Sequence, residues 1–206
     1  MHKKQVFEAG KKAGEASKLL ILLHGRGGSA EDIIGITGLL NVEGYSIWAP
    51  QATNHTWYPF SFMAAPAENE PWLSSAVDLV HGMIGDAQQL GIPINNIFLL
   101  GFSQGACLAL ECAARKARPY GGVVAFTGGL IGDKLYQDNY SGTFEQAPVF
   151  LGSGDPDMHV PVERVNESEA QLSAMGAAVT KKIYPRLGHT INQDEIDTVN
   201  SIIFKP

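Results

Sequence analysis

The chain has 206 residues, 45% of them hydrophobic and 17% charged, with 23 glycines, 11 prolines and 2 cysteines. That length suits one core, so a single domain over 1–206 is expected, and charge this low beside ordinary apolar content excludes intrinsic disorder and a long coiled coil. The net charge of −6 comes with no basic cluster beyond Lys3-Lys4 and Lys11-Lys12, which excludes a nucleic-acid surface and a polybasic membrane patch.

In chain order, residues 1–18 lack the apolar stretch and cleavage site of a secretory signal, so the expected location is cytoplasmic. Leu19 to Leu23 reads as a buried strand; it is the longest apolar run and far too short for membrane insertion. Ser29 and Asp32 have the spacing of a helix capping pair, and Ser46 to Ala49 is the next strand. Residues 51–72 show no period. A connection that long is usually a binding loop or lid, and Trp57, Tyr58, Phe60, Phe62, Met63 and Trp72 make it too apolar for a free linker. Leu73, Val77, Val80 and Ile84 recur at helical spacing, and Ile97 to Leu100 is a strand running into a helix from Ala106. Cys107 and Cys112 lie within that helix and read as packed thiols. Gly122 to Phe126, Val149 to Leu151 and Val179 to Tyr184 are further strands, with a helix beginning near Pro161 between the last two. Asn192 and Glu195 form a second capping pair before Ile196, Val199 and Ile203. Strands alternating with helices predict a mostly parallel sheet covered on both faces, with ligands gathered at the carboxyl ends of the strands.

Those ends carry the chemistry. After Ile97-Phe98-Leu99-Leu100 comes Gly101-Phe102-Ser103-Gln104-Gly105, a G-x-S-x-G sequence in the strand-to-helix context where such a serine stands exposed at a sharp turn. Glycines two before and two after the serine remove side chains that would meet neighbouring backbone. A serine hydroxyl needs a base, and the base needs an orienting carboxylate. Of six histidines, His2 lies in an N-terminal stretch expected to fray, His55 in the long loop and His81 on a helix; His24 and His159 follow strands. His189, in Leu187-Gly188-His189-Thr190, stands between the last strand and the last helix and suits the order Ser, Asp, His. Asp155 and Asp157 compete for the carboxylate position, since either could instead cap the following helix. His24-Gly25-Arg26-Gly27-Gly28-Ser29 is a glycine-rich loop able to turn N–H groups inward; the N–H of Arg26 and that of Gln104 would make a two-donor oxyanion hole. It matches neither phosphate- nor dinucleotide-binding glycine spacing.

These residues resemble the α/β-hydrolase fold, and more narrowly the phospholipase/carboxylesterase family that includes the acyl-protein thioesterases. The resemblance runs from Leu22-Leu23-His24-Gly25 through Gly101-Phe102-Ser103-Gln104-Gly105-Ala106 and Gly154-Asp155-Pro156-Asp157-Met158-His159-Val160-Pro161 to Gly188-His189. It implies a central, mostly parallel sheet with helices on both faces and no separate cap domain. It also implies that Asp157, not Asp155, completes a catalytic triad with Ser103 and His189, and that Arg26 and Gln104 supply the oxyanion donors. Relatives usually have leucine or another residue where Arg26 stands, which leaves the backbone donor intact and the acyl preference open: a side chain reaching the pocket would favour an anionic acyl group, and a solvated or structurally paired Arg26 is the opposing reading. Trp57-Tyr58-Pro59-Phe60 resembles the family's Trp-containing loop beside the pocket, which makes Trp57, Tyr58, Phe60 and Met63 the candidate substrate-binding residues; the opposing reading folds them back onto the core. The implied activity is hydrolysis of a small-molecule ester or thioester of small or medium acyl length, through an acyl-enzyme on Ser103. A dienelactone-type hydrolase, which commonly has cysteine at that position, and a catalytically silent ligand binder are the alternatives. No metal or organic cofactor is needed, and aromatics exposed on the loop would offer a surface for a homodimer.

Overall fold

In the computed structural model, which describes residues 1–205, seven strands form one sheet: β1 (Val6–Gly10), β2 (Leu19–Leu23), β3 (Ser46–Pro50), β4 (Ile97–Phe102), β5 (Gly122–Phe126), β6 (Pro148–Asp155) and β7 (Ala178–Pro185). Their spatial order is β1-β3-β2-β4-β5-β6-β7; β1 runs antiparallel to β3 and every other pair is parallel. Five helices cover it: α1 (Ala30–Ile34), α2 (Trp72–Gln89), α3 (Gln104–Arg115), α4 (Val162–Ala174) and α5 (Gln193–Ile202).

Alternation along the strands sorts the core into two. Leu19, Ile21 and Leu23 of β2 pack with α2, α3 and α4, whereas Leu20 and Leu22 pack on the opposite face with residues of α1 and α5. All five residues of β2 are fully buried, which is why its sequence reads as one unbroken apolar run. The edge strand β7 is only half-buried and uses both faces: Lys181 reaches Asn166 and Glu169 on α4, while Lys182 reaches Asp194 and Thr198 on α5. Both expected capping boxes form, Ser29 with Asp32 and Asn192 with Glu195. Cys107 and Cys112 are free, buried thiols on α3, which is buried almost all round.

The structure departs from the sequence reading at three places. Val6–Gly10 is an edge strand that no apolar run announced, because an edge strand exposed along much of its length needs no continuous apolar sequence. The N-terminus before it is also not frayed: the His2 N–H donates to Ser75 Oγ, its Nε2 lies 2.8 Å from Trp57 O, and its Nδ1 accepts the Thr53 N–H. The 51–72 segment is not structureless either, since it holds short 3-10 turns at Thr53–His55 and Pro66–Asn69.

Candidate active site

Ser103 stands between β4 and α3 with φ 54° and ψ −119°, a conformation that L side chains rarely adopt and that costs of order 1–3 kcal/mol. The flanking glycines permit it. A β-carbon on Gly101 would lie 2.2 Å from Gly105 O, and one on Gly105 would lie 2.0 Å from Leu23 O. The Ser103 N–H donates to Phe126 O at the end of β5 (2.9 Å), and the Cys107 N–H donates to Ser103 O (3.0 Å), which fastens the turn on both sides.

Across the sheet ends, His189 Nε2 lies 2.8 Å from Ser103 Oγ, and His189 Nδ1 lies 2.7 Å from Asp157 Oδ2. The Asp157 side chain is fully buried, and its Oδ1 accepts the N–H groups of His159 (2.7 Å) and Val160 (3.1 Å). Burial alone would raise its pKa, but the bonds from the His159 N–H, His189 and the Val160 N–H outweigh that and hold it below the usual carboxylate range. An ionised Asp157 can only accept, so Nδ1 of His189 carries a proton and Nε2 is left to accept from the Ser103 hydroxyl. Asp155 lies exposed at the end of β6 and takes no part in this chain of bonds.

The glycine-rich loop after β2 faces the same serine. Neither the Arg26 N–H nor the Gln104 N–H donates to a backbone acceptor among the described residues, and both residues line a cavity of about 620 Å³ together with Ser103 and His189. Buried His24 braces this loop. Its Nδ1 bonds Gly25 O (2.7 Å) and its Nε2 accepts the Ala52 N–H (3.1 Å), which makes it a neutral imidazole, and burial lowers its pKa further against protonation. His55 adds to the brace, its carbonyl accepting the Gly27 N–H (2.7 Å) and its Nδ1 donating to Gly28 O (2.8 Å).

The four loop residues predicted to contact substrate divide. Tyr58 and Phe60 line the cavity; Trp57 and Met63 do not, a correction to the sequence reading. Trp57 is fully buried and spends its indole N–H on His24 O (2.8 Å), so it supports the glycine loop from behind. Phe60 is the one aromatic of residues 57–62 left exposed, so the surface offered for pairing two copies shrinks to a single ring. The remaining lining includes Ser61, Phe62, Phe102, Cys107, His159 and Val160, which sequence reasoning did not assign to the site. Phe102 is the variable residue of the G-x-S turn and Cys107 lies one helical turn after Ser103, so position relative to the motif was an available signal for both. Burial pushes the Cys107 thiol up to about 12, which makes it a neutral wall and not a second nucleophile.

No helix of the described residues is long and apolar enough to cross a membrane, and no group of three or more His, Cys, Asp or Glu side chains among them is arranged to hold a metal ion.

Comparison with known proteins places the fold and the family. The crystal structure of a phospholipase/carboxylesterase from Dyadobacter fermentans is 50% identical, with a TM-score of 0.98 over 99% of this chain and 98% of that one. A rice (Oryza sativa subsp. japonica) protein named as a probable carboxylesterase is 31% identical over 136 residues, 66% of this chain and 51% of its own. Acyl-protein thioesterase 1 of Gibberella zeae is 32% identical over 127 residues, 61% of this chain and 54% of its own. The matched stretches thus span about half the length of these curated relatives. The sequence profile of the phospholipase/carboxylesterase family, by contrast, matches residues 4–205. The fold is therefore that of the α/β-hydrolases, and the chain belongs to the phospholipase/carboxylesterase family.

Proposed function

We propose that the protein is a serine hydrolase that cleaves carboxylic esters or thioesters through an acyl-enzyme on Ser103. The observation that carries this reading is the unbroken chain of bonds from Asp157 through His189 to Ser103, at 2.7 and 2.8 Å, on a serine held at positive φ. Family membership supports hydrolysis of an ester or thioester, and the distances support Ser103, His189 and Asp157 as the groups that carry it.

In the first step Ser103 Oγ attacks the acyl carbonyl and His189 Nε2 takes its proton. Asp157 keeps the imidazole in the required tautomer and stabilises the imidazolium that forms, with the His159 and Val160 N–H groups keeping the carboxylate ionised and in place. The carbonyl oxygen, now an oxyanion, is met by the N–H groups of Arg26 and Gln104; Gln104 is also the first residue of α3, where the helix dipole favours negative charge. Collapse of the tetrahedral intermediate expels the alcohol or thiol with the proton from His189. Water, deprotonated by the same nitrogen, then attacks the acyl-enzyme and regenerates Ser103. Every proton in both halves passes through His189, and no step requires a metal or an organic cofactor.

Incubation with a fluorophosphonate tests this directly. The intact protein gains the mass of one adduct, mapped to Ser103, and Ser103→Ala abolishes both labelling and turnover of p-nitrophenyl esters. Absence of an adduct on the folded protein sinks the hydrolase reading and favours a ligand-binding role for the cavity.

A further inference from the structure

The residue bearing the first oxyanion donor has an unusual side chain. Arg26 is exposed at the mouth of the cavity, yet its guanidinium is committed to the chain opposite. Nη1 donates to Thr56 Oγ1 (3.0 Å) and Pro59 O (2.9 Å), and Nη2 donates to Tyr58 O (3.0 Å) and Phe60 O (2.6 Å). Three successive carbonyls thus converge on one cation. Their dipoles, aimed at a common point, repel one another unless a positive group with several donors lies there, and the rigid planar fork of arginine supplies that group. Four of the five guanidinium N–H donors of Arg26 are therefore spent on its own chain, with the Nε–H left over.

The second oxyanion residue grips the same segment. Gln104 Oε1 accepts the Trp57 N–H (2.9 Å) and its Nε2 donates to Tyr58 O (2.8 Å). From residue 60 onward the segment has other anchors: Asn69 holds the Phe60 N–H and Ser61 O, and the Gly132 N–H holds Phe62 O. Tyr58 through Phe62 are five consecutive residues of one cavity wall. The first three residues of that wall, Tyr58 to Phe60, and the Thr56-Trp57 pair leading into it are thus fixed largely by side chains of the two residues proposed to supply the oxyanion N–H groups.

We propose that Arg26 is a specificity-determining residue: its guanidinium clamps residues 56–60 over the cavity and thereby sets how long an acyl chain the site accepts. This rests on the serine-hydrolase reading above. A wall held by charge-assisted bonds does not yield to a longer chain, whereas one left with only the neutral bonds of Gln104, Thr56 and Asn69 gives way when a chain presses on it. In Arg26→Leu the backbone N–H remains and the clamp is lost. Lysine restores the charge but not the fork, so Arg26→Lys regains only part of the clamp.

The test uses two readouts. In the first, kcat/KM is measured for p-nitrophenyl acetate, butyrate, hexanoate and octanoate with the wild type, Arg26→Leu and Arg26→Lys. The octanoate-to-acetate ratio rises by roughly tenfold or more in Arg26→Leu, the scale on which a few methylenes in an apolar pocket are discriminated, chiefly through a lower KM for the long ester, and Arg26→Lys falls between. An unchanged ratio in Arg26→Leu overturns the proposal, even if all rates fall together. In the second, hydrogen exchange is followed by mass spectrometry without substrate. Peptides covering residues 53–63 exchange faster in Arg26→Leu while those of β4 and β5 do not; equal protection in both proteins shows that there is no clamp. Failure of the wild type to react with a fluorophosphonate sinks the hydrolase reading instead, and the exchange experiment still decides the clamp.

Discussion

Gly105→Ala offers a sharp check on how the turn at Ser103 meets the glycine-rich loop. A β-carbon at this position would lie 2.0 Å from Leu23 O, 2.5 Å from Leu23 C and 2.6 Å from His24 O, all backbone atoms that no rotamer change can move. Ordinary contact begins at 3.4 Å, so β2 and the start of α3 must part by about 1.4 Å. The atoms forced apart immediately precede the loop that carries the Arg26 N–H, while Gly105 immediately follows Gln104. The strain therefore opens the gap between the two proposed oxyanion donors. Overpacking of this kind costs about 1–3 kcal/mol in stability, and a misplacement of about 1 Å in a reacting constellation costs on the order of 100-fold in rate. Urea unfolding monitored by tryptophan fluorescence, together with kcat on p-nitrophenyl acetate, measures both. Gly82→Ala on α2 is the control: nothing lies within 4 Å of its β-carbon, so it gains roughly 0.5–1 kcal/mol from helix propensity and leaves kcat alone. If Gly105→Ala is as stable and as active as the wild type, the close approach on which the oxyanion geometry rests is wrong.

Two further outcomes follow from the acidic residues. Asp157→Asn lowers kcat by about 10⁴-fold, because the amide can no longer fix the His189 tautomer or balance its positive charge, whereas Asp155→Asn stays close to wild type; equal losses from the two would reassign the orienting carboxylate. Glu195 is fully buried below the segment carrying His189, with Oε2 accepting the Asn192 N–H (2.8 Å) and Oε1 without a partner. Burial pushes its pKa up to about 7, with nearby Asp194 adding in the same direction, against an ordinary value of 4.5. Below 4.5 the carboxyl is neutral in folded and unfolded chains alike and costs nothing; between 4.5 and 7 only the unfolded chain ionises, so stability falls as pH rises, and above 7 the loss is complete at no more than about 3 kcal/mol. Glu195→Gln removes this dependence. Its stability advantage over the wild type in urea grows between pH 5 and pH 8, and an advantage that does not change with pH would exclude titration of this group as its source.

The sheet was legible because burial on two faces leaves an unbroken apolar run. β2, β4 and β5 announce themselves in this way, and the helices between them do so through their spacing. β1 escaped for the converse reason: Val6-Phe7-Glu8-Ala9-Gly10 sits at an edge, half-exposed, and its partner β3 satisfies its backbone without asking for any particular side chain. The strands' ends were also readable. G-x-S-x-G, the turn with two aspartates and Gly188-His189 each follow a strand, and parallel strands deliver their carboxyl ends to one edge of the sheet, which is how residues 103, 157 and 189 come to be neighbours.

The loop over the cavity was legible only as an apolar segment without a period. Which of its side chains turn inward is decided by bonds that leave no periodic trace: Trp57 is drawn under the glycine loop by His24 O, and the carbonyls of Tyr58, Pro59 and Phe60 are gathered by Arg26. A carbonyl belongs to every residue, so nothing in the sequence of the loop marks it as the acceptor. The donor alone is visible, as one arginine in a run of glycines, and a charge in that position reads just as well as a hook for an anionic substrate. The structure separates these readings by counting donors. Both terminal nitrogens of Arg26 are already bonded to the loop, which leaves only its Nε–H as a donor and excludes a two-bonded grip on a carboxylate unless one of those bonds breaks, so on the proposal above recognition at this site falls to the shape of the wall that Arg26 holds.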